Sequence, residues 1–329
     1  MRRTSLVESL RQSDEPSIRW RVLVKVLDAD PPAPEVQKLQ QEIANSARVR
    51  CLLAGLAAER HVYAKWQGAH WILSALAELG YPSGDQSLLP AARRVLDCWL
   101  DERYYMEFEA TTRAAAYRQP GVPIMRQRYR RCASQQGAAL WFLTRLGLIG
   151  REDADRLVER LLHWQWPDGG WNCDKEPDAH TSSFMETLLP MRGLAVDASQ
   201  RAKSAANRAA EVLLERGLFK RRSNGQVIHP EFVKLHYPPY WHYDVLTGLK
   251  GLAELDLLGD PRCKDALHLL EQKELPGGGW PAERRYYSAV TSNTMLHADL
   301  VDWRGRSRTR MNEWVTTDAL YVLRVAGRL

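Results

Sequence analysis

Residues 163–194, HWQWPDGGWNCDKEPDAHTSSFMETLLPMRGL, predict the end of one helix, a turn, a loop and the start of a second helix. Pro167 has no backbone N–H to donate, and the paired glycines that follow favour positive φ, so the chain turns at this point. Trp166 and Trp171 are placed to pack the turn against neighbouring helices. We interpret the stretch as one complete junction of a helical repeat.

A looser copy of this turn occurs at residues 272–280, QKELPGGGW. Such turns resemble the Gln-rich, Gly-x-Trp turns of the squalene–hopene cyclase and protein prenyltransferase superfamily. The resemblance covers residues 60–329 and implies an all-α fold, an α/α toroid of five or six helix pairs. The Asp-x-Asp-Asp motif of class II terpene cyclases is missing, and Asp28-Ala29-Asp30 is its nearest match.

Apolar residues recur at helical spacing along the chain and segments with strand character are scarce, which also predicts an all-α protein. Residues 102–128 and 281–311 are interpreted as insertions. The inner helices of the repeat are expected at 65–80, 134–148, 181–194, 241–255 and 312–325, and the outer helices at 87–101, 151–164, 205–215 and 260–271.

A repeat array can occupy the full length of 329 residues as one closed unit, so we predict a single α/α-toroid domain over residues 1–329. Residues 1–60 form helices without a repeat signature, which are expected to close or cap the ring. Residues 61–329 are the predicted repeat region.

Composition is that of an ordinary soluble globular protein, with 45% hydrophobic and 26% charged residues. Five widely spaced cysteines without a Cys-x-x-Cys pair indicate neither a disulfide framework nor a thiolate zinc site. The first residues lack the apolar region of a signal peptide, and no apolar stretch is long enough to span a bilayer. These features predict a cytoplasmic protein.

The net charge of +6 is mildly basic. Basic clusters at 126–131, 220–222 and 304–310 are expected to be solvated loop charges, and the alternative is a contact with a pyrophosphate group or with an anionic membrane surface. A peripheral membrane contact is therefore among the expected partners. No recognised nucleic-acid-binding motif accompanies the charge, so a nucleic-acid partner is not expected.

Three carboxylates fall at one level when the inner helices are superimposed on their apolar pattern. Glu186, Asp244 and Asp318 each stand two positions before the first apolar residue used for the superposition, where the other two helices carry tryptophan. Acids near a helix N-terminus are favoured by the helix dipole, which is the structural interpretation. Recurrence at one level of a ring favours convergence on a central cavity, and these acids with His242 are the predicted catalytic residues.

Protein prenyltransferases bind zinc at this level through an Asp-x-Cys and a His. The resemblance places His242-x-Asp244 where the family has Asp-x-Cys, and Asp318 or Glu186 where it has His, so no ligand type is kept. The cofactor therefore stays open. The set His242, Asp244, Glu186 and Asp318 suits Zn²⁺, Fe²⁺, Mn²⁺ or Mg²⁺, or acid–base chemistry without a metal.

Twelve tryptophans against five phenylalanines are an unusual ratio. If the aromatic residues of the inner helices lie near one mouth of the ring, they form a pocket that holds an isoprenoid and stabilises positive charge on it. The alternative is ordinary core packing. The predicted substrate-binding residues are Trp66, His70, Trp71, Trp141, His180, Tyr240, Trp241, Tyr243 and Trp314.

Three functions follow from these patterns. The first is a terpene cyclase-like enzyme acting on an isoprenoid or a similar small hydrophobic substrate, because a carboxyl in an apolar cavity keeps its proton near neutral pH. The second is a metal- or carboxylate-dependent lyase, hydrolase or isomerase acting on a polar substrate. The third is a non-catalytic toroid that binds a lipid or a protein, in which the carboxylates would be paired with arginine. No nucleophile elbow, phosphate-binding glycine loop or Walker motif is present.

Overall fold

Helices account for most of the chain in a computed structural model, which describes residues 2–288 and 298–329. The prediction of a mostly helical protein is confirmed, and the toroidal arrangement stays a prediction. Within the described residues the α-helices are α1 (Arg2–Arg11), α2 (Pro16–Arg21), α3 (Pro34–Ala44), α4 (Ala47–Leu56), α5 (Ala69–Leu79), α6 (Leu89–Trp99), α7 (Arg113–Ala116), α8 (Ser134–Arg145), α9 (Arg151–Trp164), α10 (Phe184–Ala195), α11 (Gln200–Leu214), α12 (Val245–Ala253), α13 (Lys264–Gln272) and α14 (Glu313–Val325).

One small sheet interrupts the helical pattern inside the predicted insertion 102–128. Strand β1 (Glu107–Glu109) pairs in parallel with β2 (Val122–Met125), and β2 pairs antiparallel with β3 (Arg128–Tyr129). The β2–β3 turn uses Arg126 at φ 49° and Gln127 at φ 60°, a conformation that usually calls for Asn or Gly. The sequence therefore lacked the usual hairpin signal at this place.

The chain separates into two compact units. Unit 1 comprises Met1–Gly84 and Arg216–Leu329, and unit 2 comprises Asp85–Glu215. The predicted insertion 281–311 lies in unit 1, and its residues 289–297 lie outside the described residues. The single-domain organisation stays a prediction.

The two glycine-rich turns have the same hydrogen-bond pattern. In unit 2, Trp166 N–H donates to Gly170 at 2.8 Å and the Trp171 indole donates to the carbonyl of Leu161 at 3.0 Å. In unit 1, Leu275 N–H donates to Gly279 at 2.9 Å and the Trp280 indole donates to the carbonyl ten residues earlier at 2.7 Å. The prediction that these stretches are copies of one junction is supported by this match.

The same pattern sets the register of the helix that follows each turn. Trp171 N–H donates to the hydroxyl of Thr187 at 3.2 Å, and Trp280 N–H donates to that of Thr316 at 2.9 Å. Thr187 thus corresponds to Thr316, which matches Glu186 with Val315 and not with Asp318. The predicted superposition of α10 on α14 was wrong by three residues. A shift of three residues is close to one helical turn and keeps the leucines on the same face, so the apolar pattern did not distinguish the two registers.

The three predicted carboxylates consequently occupy different helix positions. Asp244 is the N-cap of α12, Glu186 is the third residue of α10, and Asp318 is the sixth residue of α14. Glu186 belongs to unit 2, whereas Asp244 and Asp318 belong to unit 1. Convergence of the three carboxylates on one cavity stays a prediction.

Two glycines bring α8 and α10 into close contact in unit 2. A Cβ on Gly193 would lie 2.3 Å from the carbonyl oxygen of Gly137, and a Cβ on Gly137 would lie 2.3 Å from the Cα of Pro190. Both obstacles are backbone atoms, so a Cβ at either glycine would force the two helices apart. This contact packs the N-terminal half of α8 against the C-terminal half of α10.

Four charged side chains link four helices of unit 1, three of them buried and the fourth, Asp318, half-buried. Arg21 from α2 donates to Asp318 Oδ1 at 3.1 Å and to Glu78 Oε2 at 3.2 Å. Lys250 from α12 donates to Glu78 Oε2 at 2.7 Å and to Asp318 Oδ2 at 3.2 Å. Both oxygens of Asp318 are thus held by cations, which makes it a structural ion-pair partner, and its catalytic role stays a prediction.

We predict that Arg21→Met lowers the free energy of unfolding by about 3–5 kcal/mol, because it leaves Glu78 and Asp318 buried with a single cation between them. Urea titration followed by far-ultraviolet circular dichroism measures the effect. Arg11→Met is the matched control, since its pair with Glu8 is 43% and 57% exposed and is expected to be worth less than about 1 kcal/mol. Equal losses in both variants would contradict this assignment.

We also predict that Gly193→Ala lowers the free energy of unfolding by about 1–3 kcal/mol through steric overlap with α8. Gly259→Ala serves as the control, since a Cβ there would meet no atom within 4 Å. The same titration, followed by tryptophan fluorescence, compares the two variants. A neutral Gly193→Ala would mean that the two helices are not in close contact.

Candidate functional site

A buried carboxylate fixes the loop that precedes α12. Asp244 Oδ1 accepts the backbone N–H of Thr247 at 2.7 Å, and the Thr247 hydroxyl accepts the Asp244 N–H, which completes a capping box. Oδ2 accepts the backbone N–H of His236 at 2.9 Å and lies 2.6 Å from Nδ1 of the same residue. Asp244 is therefore a helix cap that also positions the His236 imidazole.

Two imidazoles meet beside Tyr286. The His242 ring stacks on the Tyr286 ring at 3.5 Å and 6°, while His236 stands edge-on to it at 5.1 Å. The two histidine rings are 6.3 Å apart. Neither ring nitrogen of His236 has hydrogen-bond geometry to a partner within residues 2–288 and 298–329, and the same holds for Nδ1 of His242. His242 is half-buried, so its side of the group formed by His236, His242 and Tyr286 reaches the protein surface.

An aromatic stack continues from His242 into the protein. Trp66 lies 5.8 Å from His242 and stacks on Tyr240 at 4.5 Å and 4°. The Trp66 indole donates to the carbonyl of Tyr286 at 3.2 Å. This bond connects the Trp66–Tyr240 stack with the stacked rings of His242 and Tyr286. We call Trp66 and Tyr240 the aromatic wall.

A carboxyl group stands at the inner end of the aromatic wall. The Tyr240 hydroxyl donates to Oδ2 of Asp299, and the Trp303 indole donates to the same oxygen at 2.9 Å. Oδ1 accepts a long bond, 3.4 Å, from the backbone N–H of Val301. Because the Tyr240 hydroxyl and the Trp303 indole both donate to Oδ2, Oδ1 is the oxygen that can carry a proton.

The environments at the two ends shift proton affinities in opposite directions. Burial lowers the pKa of His242 to about 3, and the nearby charges of His236 and Lys65 act in the same sense. Burial raises the pKa of the Asp299 carboxyl above its usual value, although its bonds from Tyr240 and Trp303 oppose the shift. The shift favours the protonated form of Asp299 and the neutral form of His242, which is the direction that an acid and a base require.

The other predicted substrate-binding residues of unit 1 pack mostly in its core. Trp71 lies edge-on to Trp66 at 4.7 Å, behind the aromatic wall. Trp314 stacks on Tyr237 at 5.1 Å, and the Tyr243 hydroxyl donates to Leu218 at 2.7 Å, so both have structural roles. Trp241 is half-buried, with Lys65 5.4 Å from its ring centre.

Two predicted substrate-binding residues, Trp141 and His180, belong to unit 2. Trp141 is buried under the guanidinium of Arg192, 4.2 Å from the ring centre. His180 is exposed in a loop, and α10 begins only at Phe184, so His180 does not start the third inner helix as predicted. The aromatic wall therefore includes neither of them.

The residues that sequence reasoning missed are His236, Tyr286 and Asp299. His236 stands eight residues before Asp244, a spacing that allows the loop to close on the α12 cap. Asp299 and Tyr286 lie in the predicted insertion, where no helical period indicated which side chains face inward. A carboxyl directly after a buried alanine and four residues before a tryptophan gave no periodic signal.

The predicted metal ligands each have other partners in the structure. Asp318 is occupied by Arg21 and Lys250, and Asp244 by backbone donors and His236. Glu186 instead lies in unit 2, where its Oε1 is 3.6 Å from the sulfur of Cys173. Within the described residues, one group of side chains has metal-ligand spacing, namely Cys132, Cys173 and Glu186.

No known protein family matches the sequence, and no curated protein matches it. Among solved structures, the chain is similar to a protein from Actinoplanes, with 18% identity, a TM-score of 0.41, and coverage of 96% of this chain and 90% of that one. It is also similar to the type II terpene cyclase MstE from Scytonema, solved as a variant with geranylgeranyl dihydroxybenzoate, with 14% identity, a TM-score of 0.27, and coverage of 88% and 99%. Both scores are low, and neither likeness assigns an activity to the chain.

Among the described residues, no helix combines the length and the apolar character that crossing a bilayer requires.

We predict that His70 makes unit 1 sensitive to acid. Burial lowers its pKa to about 3, whereas an unfolded histidine has a pKa of about 6.5. Between these values the unfolded chain binds a proton that the folded chain does not, so stability falls as pH drops, by about 1.4 kcal/mol per pH unit. Urea unfolding of His70→Asn between about pH 7 and pH 5 should show a smaller slope than the parent protein.

His268→Asn is the control for this experiment, since the His268 side chain is 66% exposed. Its slope should equal that of the parent protein. A His70 imidazole that titrates near its ordinary value in a nuclear magnetic resonance experiment would contradict the assignment.

Proposed function

We propose that this protein is a terpene cyclase-like enzyme that binds a small hydrophobic substrate of isoprenoid type against the aromatic wall and transfers protons to and from it. The observation that carries the proposal is the placement of a buried carboxyl, Asp299, and an imidazole, His242, at opposite ends of the stacked rings of Trp66 and Tyr240.

The choice of substrate class rests on the chemistry of the wall. Aromatic faces bind apolar chains and stabilise a cation through their negative quadrupole. Trp66 already has a cation over it, since the ammonium of Lys65 lies 5.3 Å from its ring centre. The half-buried residues Trp241, His242 and Tyr286 mark the side from which a ligand would approach.

The proposed proton transfers balance. Asp299 Oδ1 gives its proton to one carbon of a double bond, which leaves a carbocation next to that carbon and a carboxylate held by Tyr240 and Trp303. His242 Nδ1 then accepts a proton from a carbon adjacent to the cation, and a new double bond forms. The substrate is isomerised or cyclised without net change in its atoms, and solvent returns the proton from the imidazole to the carboxylate.

His236 and Asp244 are positioning residues in this scheme. Asp244 holds the backbone and ring of His236, and the His236 ring stands edge-on to Tyr286, on which His242 stacks. Tyr286 is itself fixed by the bond from its hydroxyl to Glu231 at 3.1 Å. The orientation of the accepting imidazole is therefore set by contacts from several segments of unit 1.

A second candidate function is ligand binding without catalysis. It is favoured by the pairing of Asp318 with Arg21, which is the arrangement expected of carboxylates with a purely structural role. The two candidates share the same binding surface and differ in whether protons are exchanged.

Incubation with farnesol in D₂O distinguishes them. The parent protein should incorporate deuterium into the recovered isoprenoid, as measured by mass spectrometry. Asp299→Asn should reduce incorporation by about 100-fold or more, because an amide cannot act as the acid, and His242→Gln should reduce it similarly. Farnesol should still quench tryptophan fluorescence in both variants.

His268→Gln, at an exposed position of the same unit, is the control and should incorporate deuterium at the parent rate. Binding without incorporation in the parent protein would favour the second candidate. Absence of binding would overturn both, and incorporation that is unchanged in Asp299→Asn would remove Asp299 from the mechanism.

A further inference from the structure

Three side chains from separate segments of unit 2 converge at the N-terminal end of α10. Cys132 precedes α8 by two residues, Cys173 follows the glycine-rich turn, and Glu186 is the third residue of α10. Their sulfur and carboxylate oxygen atoms all lie within 4.8 Å of one another. The three residues are 41 and 13 positions apart in sequence, so the fold and not local sequence assembles the cluster.

The carboxylate is oriented before any ligand binds. Glu186 Oε2 accepts the backbone N–H of Ser134 at 3.0 Å, which leaves Oε1 directed at Cys173 at 3.6 Å. The close packing of α8 against α10 at Gly137 and Gly193 holds the two helices together beyond this bond. Such contacts to the second oxygen of a ligating carboxylate fix its geometry.

The surrounding charge suits a bound dication. Two thiolates and one carboxylate carry three negative charges, and a divalent ion would leave one. Arg131 is buried and interacts electrostatically with Cys132 and Glu186, and Lys175 interacts with both cysteines. These cations would offset the remaining charge.

The cluster is also accessible. Cys132 and Cys173 are half-buried whereas Glu186 is buried, so an ion can reach the sulfur atoms from one side. Two sulfurs and one oxygen favour zinc over magnesium or calcium, which prefer oxygen ligands throughout. Three protein ligands leave the fourth position of a tetrahedral zinc ion open, as in catalytic zinc sites.

We infer that Cys132, Cys173 and Glu186 form a zinc-binding site whose fourth position takes water or a small ligand. This site is independent of the proposed proton-transfer chemistry, since all its ligands belong to unit 2. It also corrects the expectation that the spacing of the cysteines excludes thiolate zinc binding, because Cys-x-x-Cys spacing is needed only when one local loop supplies both sulfurs.

The test uses the untagged full chain, reduced and dialysed against Zn²⁺, with metal content measured by mass spectrometry. One equivalent of zinc is expected, together with a higher thermal unfolding midpoint than in the chelator-treated protein. Substitution with Co²⁺ should produce thiolate-to-cobalt charge-transfer absorption. Cys132→Ser, Cys173→Ser and Glu186→Gln should each lose the stoichiometric ion, and the two cysteine variants should weaken the absorption.

Cys98→Ser is the matched control, because Cys98 is a half-buried cysteine of the same unit outside the cluster, and it should retain both metal and absorption. Glu186→Gln keeps an oxygen that can accept the Ser134 N–H, so circular dichroism should show it folded. A reduced parent protein without stoichiometric zinc, a disulfide between Cys132 and Cys173 in its place, or zinc retained in all three variants would overturn the inference.

Discussion

The buried ion pairs of Arg21 and Lys250 with Glu78 and Asp318 constrain the rest of unit 1. Arg21 and Asp318 are 297 residues apart, and neither charge tolerates burial without its partners. The positions of α2, α5, α12 and α14 are therefore coupled. Arg21 also donates to the Tyr237 hydroxyl at 3.1 Å, which extends the constraint to the loop that carries His236, Tyr240 and His242.

The N-terminal ends of α10 and α12 share one arrangement of a buried acid but place it beside different chemical groups. In each, a buried acid accepts a backbone N–H from another segment, Ser134 for Glu186 and His236 for Asp244. The helix end supplies a favourable environment for the acid, and the second segment orients it. At α12 the neighbouring group is the His236 imidazole among aromatic rings, and at α10 it is the thiols of Cys132 and Cys173. The chemistry of each acid therefore depends on the segment that packs against it.

In the proposed mechanism, burial more than residue type makes Asp299 the acid and His242 the base. In water, an aspartate carboxyl has a lower pKa than a histidine imidazole. Taking each from water favours its neutral form, which for a carboxyl is the acid and for an imidazole is the base. Trp66 and Tyr240 supply this environment and also the surface on which a cation would be stabilised.

Sequence alone determined the helical class and the two glycine-rich turns, because proline, paired glycines and tryptophan act locally and their hydrogen bonds close within ten residues. Only the tertiary structure decided the helix register, since a shift of three residues keeps leucines on the same face while moving Asp318 away from the level of Glu186. The same holds for Asp299, His236 and Cys132, whose roles depend on partners distant in sequence. Local periodicity specifies which face of a helix is buried, whereas long-range contacts decide which side chains meet.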